Sequence, residues 1–220
     1  MGYDITFHPI KLNEMYKYYY NLISAPETID EVLKDVSFAS KIRDIYGYGV
    51  NTDAKTHKFN KTHGFFVATI AGYLHEYWYV RGASISFLAD KEKNFLKYFS
   101  DYESILPSYV KTMECTSLIT ENYMCGGFIE MDKLPELKND LNSFKFKAVV
   151  EEVFSHGRLQ IINLAIDYAL KNKTGILEAT DLVVPNPFDL DKVECITNLS
   201  NCHVDGALLY QKAVSEQIEY

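Results

Sequence analysis

The sequence predicts a mainly α-helical α+β fold, a single globular domain over residues 1–220 with one small β-sheet. Three observations carry this. Apolar residues recur at helical spacing in several segments, most broadly at 156–172. Alternation of apolar and polar residues is confined to short stretches, of which Tyr3 to His8 is the clearest. Hydrophobic residues make up 47% and charged residues 24% of 220 residues, and 17 Tyr and 13 Phe give the bulk for a substantial core. No internal repeat and no Pro- or Gly-rich linker divides the chain.

The elements follow in order. Tyr3-Asp4-Ile5-Thr6-Phe7-His8 ends at Pro9 and gives a strand with Tyr3, Ile5 and Phe7 on one face. Leu12, Met15, Tyr16, Tyr19, Leu22 and Ile23 place a helix over 11–24. Ser24-Ala25-Pro26-Glu27 fits a capping box, and Ile29, Val32, Leu33 and Val36 form the stripe of the helix it opens. A third helix, about 38–46, ends at Gly47-Tyr48-Gly49, and the polar stretch 50–63 is expected to be a loop. The aromatic run 65–79 keeps the helical period through Phe66, Ile70, Tyr73, Leu74, Tyr77 and Trp78, with a strand as the alternative. Ala83 to Leu88 is expected to be a short strand, and Phe95, Leu96, Phe99 and Tyr102 a helix before Pro107. Cys125-Gly126-Gly127-Phe128 is expected to be a turn. Leu134-Pro135 opens a short helix that runs to about Ser143. Ser155 is expected to cap the central helix 156–172. Its stripe of Leu159, Ile162, Ile166, Ala169 and Leu170 is widened by Ile161, Leu164 and Ala165. Pro185-Asn186-Pro187 forces an extended segment, and a last helix covers about 205–218.

Charge narrows the function classes. The net charge is −8, and only Arg43, Arg81 and Arg158 supply guanidinium groups. A duplex nucleic-acid partner needs several cations on one face, so nucleic acid is disfavoured, as is an anionic membrane surface. No apolar run of about 20 residues offers a membrane span. The N-terminus has no basic segment followed by an apolar one, so a cytoplasmic location with reduced thiols is expected. The charge is concentrated late in the chain: residues 1–110 carry −1, residues 111–220 carry −7, and 178–220 alone carry −6.

No motif marks a chemistry. Cys195, Cys202 and His203 have the wrong spacing for a zinc site, which usually pairs close ligands twice, so no metal and no cofactor are expected. Neither a nucleophile elbow nor a phosphate-binding glycine loop is present. His156, Gln160, Asn163, Asp167 and Lys171 share one face of helix 156–172, which fits a solvated face opposite the apolar stripe. A partner surface is the better-supported candidate. Asp181, Asp189, Asp191, Glu194 and Asp205 form its acidic part, and the tyrosine clusters around Tyr18 and Tyr77 are its aromatic part.

Three stretches taken together carry a resemblance: Tyr3-Asp4-Ile5-Thr6-Phe7-His8-Pro9, Tyr79-Val80-Arg81-Gly82-Ala83 running to Phe87-Leu88, and Gly175-Ile176-Leu177-Glu178-Ala179-Thr180-Asp181-Leu182-Val183-Val184-Pro185. They resemble uncharacterised bacterial proteins of the polymorphic and contact-dependent toxin immunity type. The resemblance implies a bacterial cytoplasmic protein that binds and blocks a toxin, and it brings no catalytic or binding residue with it. An acidic inhibitor would be complementary to a basic toxin domain. Two other classes stay open. One is a small hydrolase-like enzyme with a histidine site assembled from distant segments, which would place His63, His75 or His156 in a pocket near an acid or thiol. The other is a structural or regulatory scaffold.

Overall fold

Strand β1 (Asp4–Ile10) is buried at all seven positions. Its alternation does sort residues to two faces, as the pattern predicts, but both faces are covered. Ile5 and Phe7 enter one core cluster, while Thr6, His8 and Ile10 are as deeply buried on the other side. The reason is position. The computed structural model, which describes residues 3–56, 58–109, 112–113, 116–120 and 123–216, places β1 at the centre of a five-stranded sheet.

Helix α1 (residues 12–24) follows, α-helical at both ends and π-helical over Tyr16–Tyr20. Helix α2 (Ala39–Thr56) is twice as long as expected and runs through Gly47 and Gly49 into the segment predicted to be a loop. A side chain at Gly49 would meet the Tyr19 hydroxyl at 2.8 Å, so this glycine marks close helix packing rather than a stop. The aromatic run divides in two. Helix α3 (Lys61–Leu74), capped by Asn60, takes its first part, and strand β2 (Tyr77–Arg81) takes the second. Ala83 to Leu88 is not a strand. The Ser84 hydroxyl accepts the Phe87 N–H at 2.9 Å and starts helix α4 (Ile85–Lys91). Phe95 and Leu96 fall in a 3₁₀ turn, Lys93–Tyr98, and Tyr102 in a short helix, Tyr102–Ile105.

Cys125 to Phe128 is likewise not a turn but part of strand β3 (Cys125–Ile129). A side chain at Gly127 would overlap the Phe99 ring, so glycine serves close packing there. Helices α5 (Leu134–Leu141), α6 (Lys147–Val153) and α7 (Arg158–Asn172) come next. The cap of α7 is Gly157, at φ 85°; Ser155 instead binds the Arg158 guanidinium through its hydroxyl and carbonyl oxygens. Strand β4 (Gly175–Thr180), the hairpin of β5 (Val183–Pro185) and β6 (Val193–Cys195), the short strand β7 (Cys202–His203) and helix α8 (Asp205–Ser215) complete the described chain.

The sheet order is β3-β4-β1-β2-β7. All its pairs are antiparallel except β2 with β7. Helices cover both faces. Ile5, Phe7, Trp78, Val80 and Ile176 meet α7 and the α4–α6 group, and Ile10, Leu177, Ala179, Cys125 and Phe128 meet α1, α2 and α3. Among the described residues, no helix is long and apolar enough to cross a membrane.

Candidate binding face

Past β4 the chain turns at Asp181, a non-glycine residue at φ 57°. The β5–β6 loop is built from local hydrogen bonds. Asn186 Oδ1 accepts the Phe188 N–H at 3.0 Å, and the Asp189 carbonyl accepts the Lys192 N–H at 2.9 Å. The returning segment is fastened to α3: the Thr197 hydroxyl donates to the Thr69 carbonyl at 2.6 Å, and Asn201 Nδ2 to the Gly72 carbonyl at 3.0 Å. Strand β7 then pairs with β2, and the His203 ring stacks on Trp78 at 4.4 Å while its Nε2 lies 2.7 Å from Glu76. Helix α8 sits hard against the sheet, because a Cβ on Gly206 would overlap the Tyr79 carbonyl oxygen.

These elements enclose an apolar cavity of about 130 Å³. The hairpin contributes Val183, Pro185, Leu190 and Val193 to its wall, and Cys202, Val204 and Ala207 close it from the β7–α8 side. Tyr79 is buried in the wall, and its hydroxyl donates to Asp4 at 2.6 Å. Asp4 also pairs with Arg81, whose guanidinium lies over the Tyr210 ring at 4.9 Å. Burial, and then the Asp4 carboxylate, push the Tyr79 phenol far above its ordinary value. Burial likewise raises the Cys202 thiol to about 12, which leaves it an unreactive thiol at neutral pH. Of the wall residues Val204 is 59% exposed, and the same chain segments leave Phe188 81%, Ile196 56% and Leu208 48% exposed.

The structure brings some of the sequence-predicted residues to this face and not others. Asp189 and Asp191 flank the wall residue Leu190, and exposed Asp205 follows the wall residue Val204. Glu194 is exposed but alternates with Val193 along β6, so it projects from the outer side of the hairpin. Asp181 stands apart, half-buried, with its carboxylate accepting the Tyr123 hydroxyl and its amide bonded to the Asp4 carbonyl. Tyr18 packs, half-buried, at the α1 side of the second core cluster. Tyr77 is a correction. It is fully buried, stacked on His8 at 4.7 Å with its hydroxyl 3.7 Å from Cys195 Sγ, and it cannot meet a partner. The −6 of segment 178–220 also includes Glu178, which is fully buried and not surface charge. The wall residues were missed by sequence reasoning. Their only signal is that Leu190, Val193 and Val204 are single apolar residues beside acids, a pattern an ordinary loop shares.

The three histidines considered for a catalytic site lie elsewhere. His63 Nδ1 is 2.6 Å from the Tyr19 hydroxyl, His75 Nε2 is 2.9 Å from Glu14, and His156 is exposed at φ 56°. His75 thus has the acid neighbour a general base needs. Neither the cavity above nor a mixed-charge cleft of about 280 Å³ between Lys11, Glu130, Asp132 and Lys173 is lined by a histidine. Among the described residues, no three His, Cys, Asp or Glu side chains are grouped to hold a metal ion. Cys125, Cys195 and Cys202 are free thiols, and Cys115 lies outside the described residues. No protein-family model, curated protein or solved structure matches the chain.

Proposed function

We propose that the chain is a non-enzymatic binding protein which captures a basic protein on the face formed by the β5–β6 hairpin, β7 and α8. Its setting on this reading is the bacterial cytoplasm, and its task is the neutralisation of a cognate toxin. The observation that carries the proposal is the cavity itself: an apolar opening with Val204 exposed in its wall, and with Asp191 and Asp205, next in sequence to wall residues, exposed and unpaired among the described residues. Apolar patches rimmed by charge are the usual form of a protein-contact site. Carboxylates at such a rim speed the approach of a cationic partner more than they hold it. The resemblance to toxin immunity proteins supplies the biological setting.

The test is association kinetics with the product of the neighbouring gene, measured across a salt series. Asp191→Lys with Asp205→Lys should slow association about tenfold or more at low salt, and the difference should shrink as salt rises. The dissociation rate and thermal stability should change little, because exposed charges contribute little to folding. Failure of the wild-type chain to bind that product would overturn the reading and return the hydrolase alternative, with His75 and Glu14 as its starting point.

A further inference from the structure

We infer that the 130 Å³ cavity takes one aliphatic side chain of about leucine size, presented by a peptide segment that carries Lys or Arg on both sides of it. This rests on the binding reading above and names the chemistry of the partner at its point of contact.

Size gives the first limit. A dry apolar cavity of about 150 Å³ holds a benzene molecule, so this one suits a branched aliphatic group and is too small for an indole. The wall gives the second. Its two polar side-chain atoms are both engaged, the Tyr79 hydroxyl by Asp4 and the Cys202 thiol by the His203 carbonyl at 3.7 Å. A polar ligand group entering the cavity would lose its hydrogen bonds to water and find none of these to replace them, whereas an aliphatic group loses nothing. The mouth gives the third. Asp189 is neutralised by Lys192 at 2.9 Å, but Asp191 on the hairpin side and Asp205 on the α8 side have no ion-pair partner among the described residues. A cation on either flank of the inserted side chain answers both. The same charges disfavour a second copy of this chain as the occupant, because a face-to-face dimer would bring these acids together within a molecule of net charge −8. The wall is also preformed. The Gly206 approach to Tyr79, the Thr197 bond to α3 and the His203 stack on Trp78 hold its three sides before any partner arrives.

The experiment is a methyl-resolved NMR titration of the full chain with the end-blocked peptide Lys-Lys-Leu-Lys-Lys. Lys-Lys-Gly-Lys-Lys and Glu-Glu-Leu-Glu-Glu serve as controls. The leucine peptide with lysines should shift the methyl signals of Val193, Val204 and Ala207 in a saturable, salt-sensitive way, and both controls should bind several-fold more weakly. Ala207→Phe should fill the cavity and remove the response. Val204→Phe narrows its mouth at an exposed position and should do the same with the fold intact. An equal response to the glycine peptide would reduce the site to surface charge, and an equal response to the acidic peptide would remove the flanking cations; either overturns the inference. So would silence of the three methyl groups with the leucine peptide. A concentration-dependent dimer that Val204→Phe abolishes would assign the cavity to a second copy and overturn it as well. If Val204→Phe binds the neighbouring gene product as well as wild type does, side-chain insertion is wrong while capture of a basic protein stands. If wild type binds the peptide but not that product, the immunity setting is wrong while the site stands.

Discussion

Glu178 sits in a central strand with its carboxylate wholly buried. It accepts the Ile85 N–H at 2.5 Å, the Ser86 N–H at 3.2 Å and the Ser86 hydroxyl at 2.5 Å, which ties β4 to the start of α4. Burial pushes its titration up to about 7, and these donors hold it back from going higher. The sign of the resulting pH dependence follows from which state holds the proton. Between about pH 4.5 and 7 the folded chain keeps a proton that the unfolded chain has released, so this group's contribution to stability falls as pH rises through that window. Glu178→Gln should remove that fall. Urea denaturation at pH 5 and pH 8 should show the change in stability over the interval to be more favourable in the variant than in wild type, by on the order of 2–3 kcal/mol. Equal changes would mean that the carboxylate is ionised in the fold across the whole range.

Helix α7 shows where an amphipathic pattern is reliable and where it overreaches. Ile162 and Ile166 are fully buried, as the stripe predicts, but Leu164 is 40% exposed. The solvated face is also less bare than its sequence implies. Asn163 and Asn142 exchange side-chain hydrogen bonds at 3.1 and 3.3 Å, and Asp167 pairs with Lys138. Ile162→Ala and Ile166→Ala should each cost about 2–5 kcal/mol. Asn163→Ala should cost about 1 kcal/mol or less, and Leu164→Ala still less. Chemical denaturation giving one value for all four would place the helix in a different rotation. At α8 the critical position is Gly206, where no side chain has room against the Tyr79 carbonyl. Gly206→Ala should lift the start of α8 off the sheet at a cost of about 1–3 kcal/mol. Hydrogen exchange should then quicken in 205–215 and in β7 while α7 stays protected; unchanged exchange in α8 would refute the close approach.

At the scale of the whole molecule, two buried ionisable groups on opposite faces of the sheet work against each other. His8 Nε2 lies 2.8 Å from the Thr6 hydroxyl, which itself donates to the Ala179 carbonyl, so the imidazole is the donor of that pair and Nδ1 is left without a partner. Burial lowers His8 to about 3. Between about pH 3 and 6.5 the unfolded chain binds a proton that the folded chain does not, so the contribution of His8 to stability is lost as pH falls. Glu178 has the opposite slope over an overlapping window. On acidification from about pH 6.5 to 4.5 the wild-type chain should therefore lose less stability than Glu178→Gln, by up to about 1.4 kcal/mol per pH unit. Equal slopes in the two proteins would mean that Glu178 does not hold its proton in the fold.

What the sequence determined by itself is what depends on neighbours along the chain. The mainly helical α+β class, the strand at residues 4–8 and the stripe of Ile162 and Ile166 are local patterns that burial of apolar surface enforces, and the charge gathered late in the chain is composition alone. What only the tertiary structure decided is what depends on partners brought from far away. Cys125 to Ile129 is a strand because Phe99 and β4 flank its glycines, and in α2 Gly49 serves close packing because Tyr19 stands where its side chain would be. Ala83 to Leu88 starts a helix because Ser84 and the distant Glu178 satisfy its first N–H groups. The candidate cavity belongs to the same kind. Asp191 and Asp205 were legible as charge, but their apolar neighbours Leu190 and Val204 became two sides of one opening only when β7 zipped onto β2 and Gly206 let α8 close upon Tyr79.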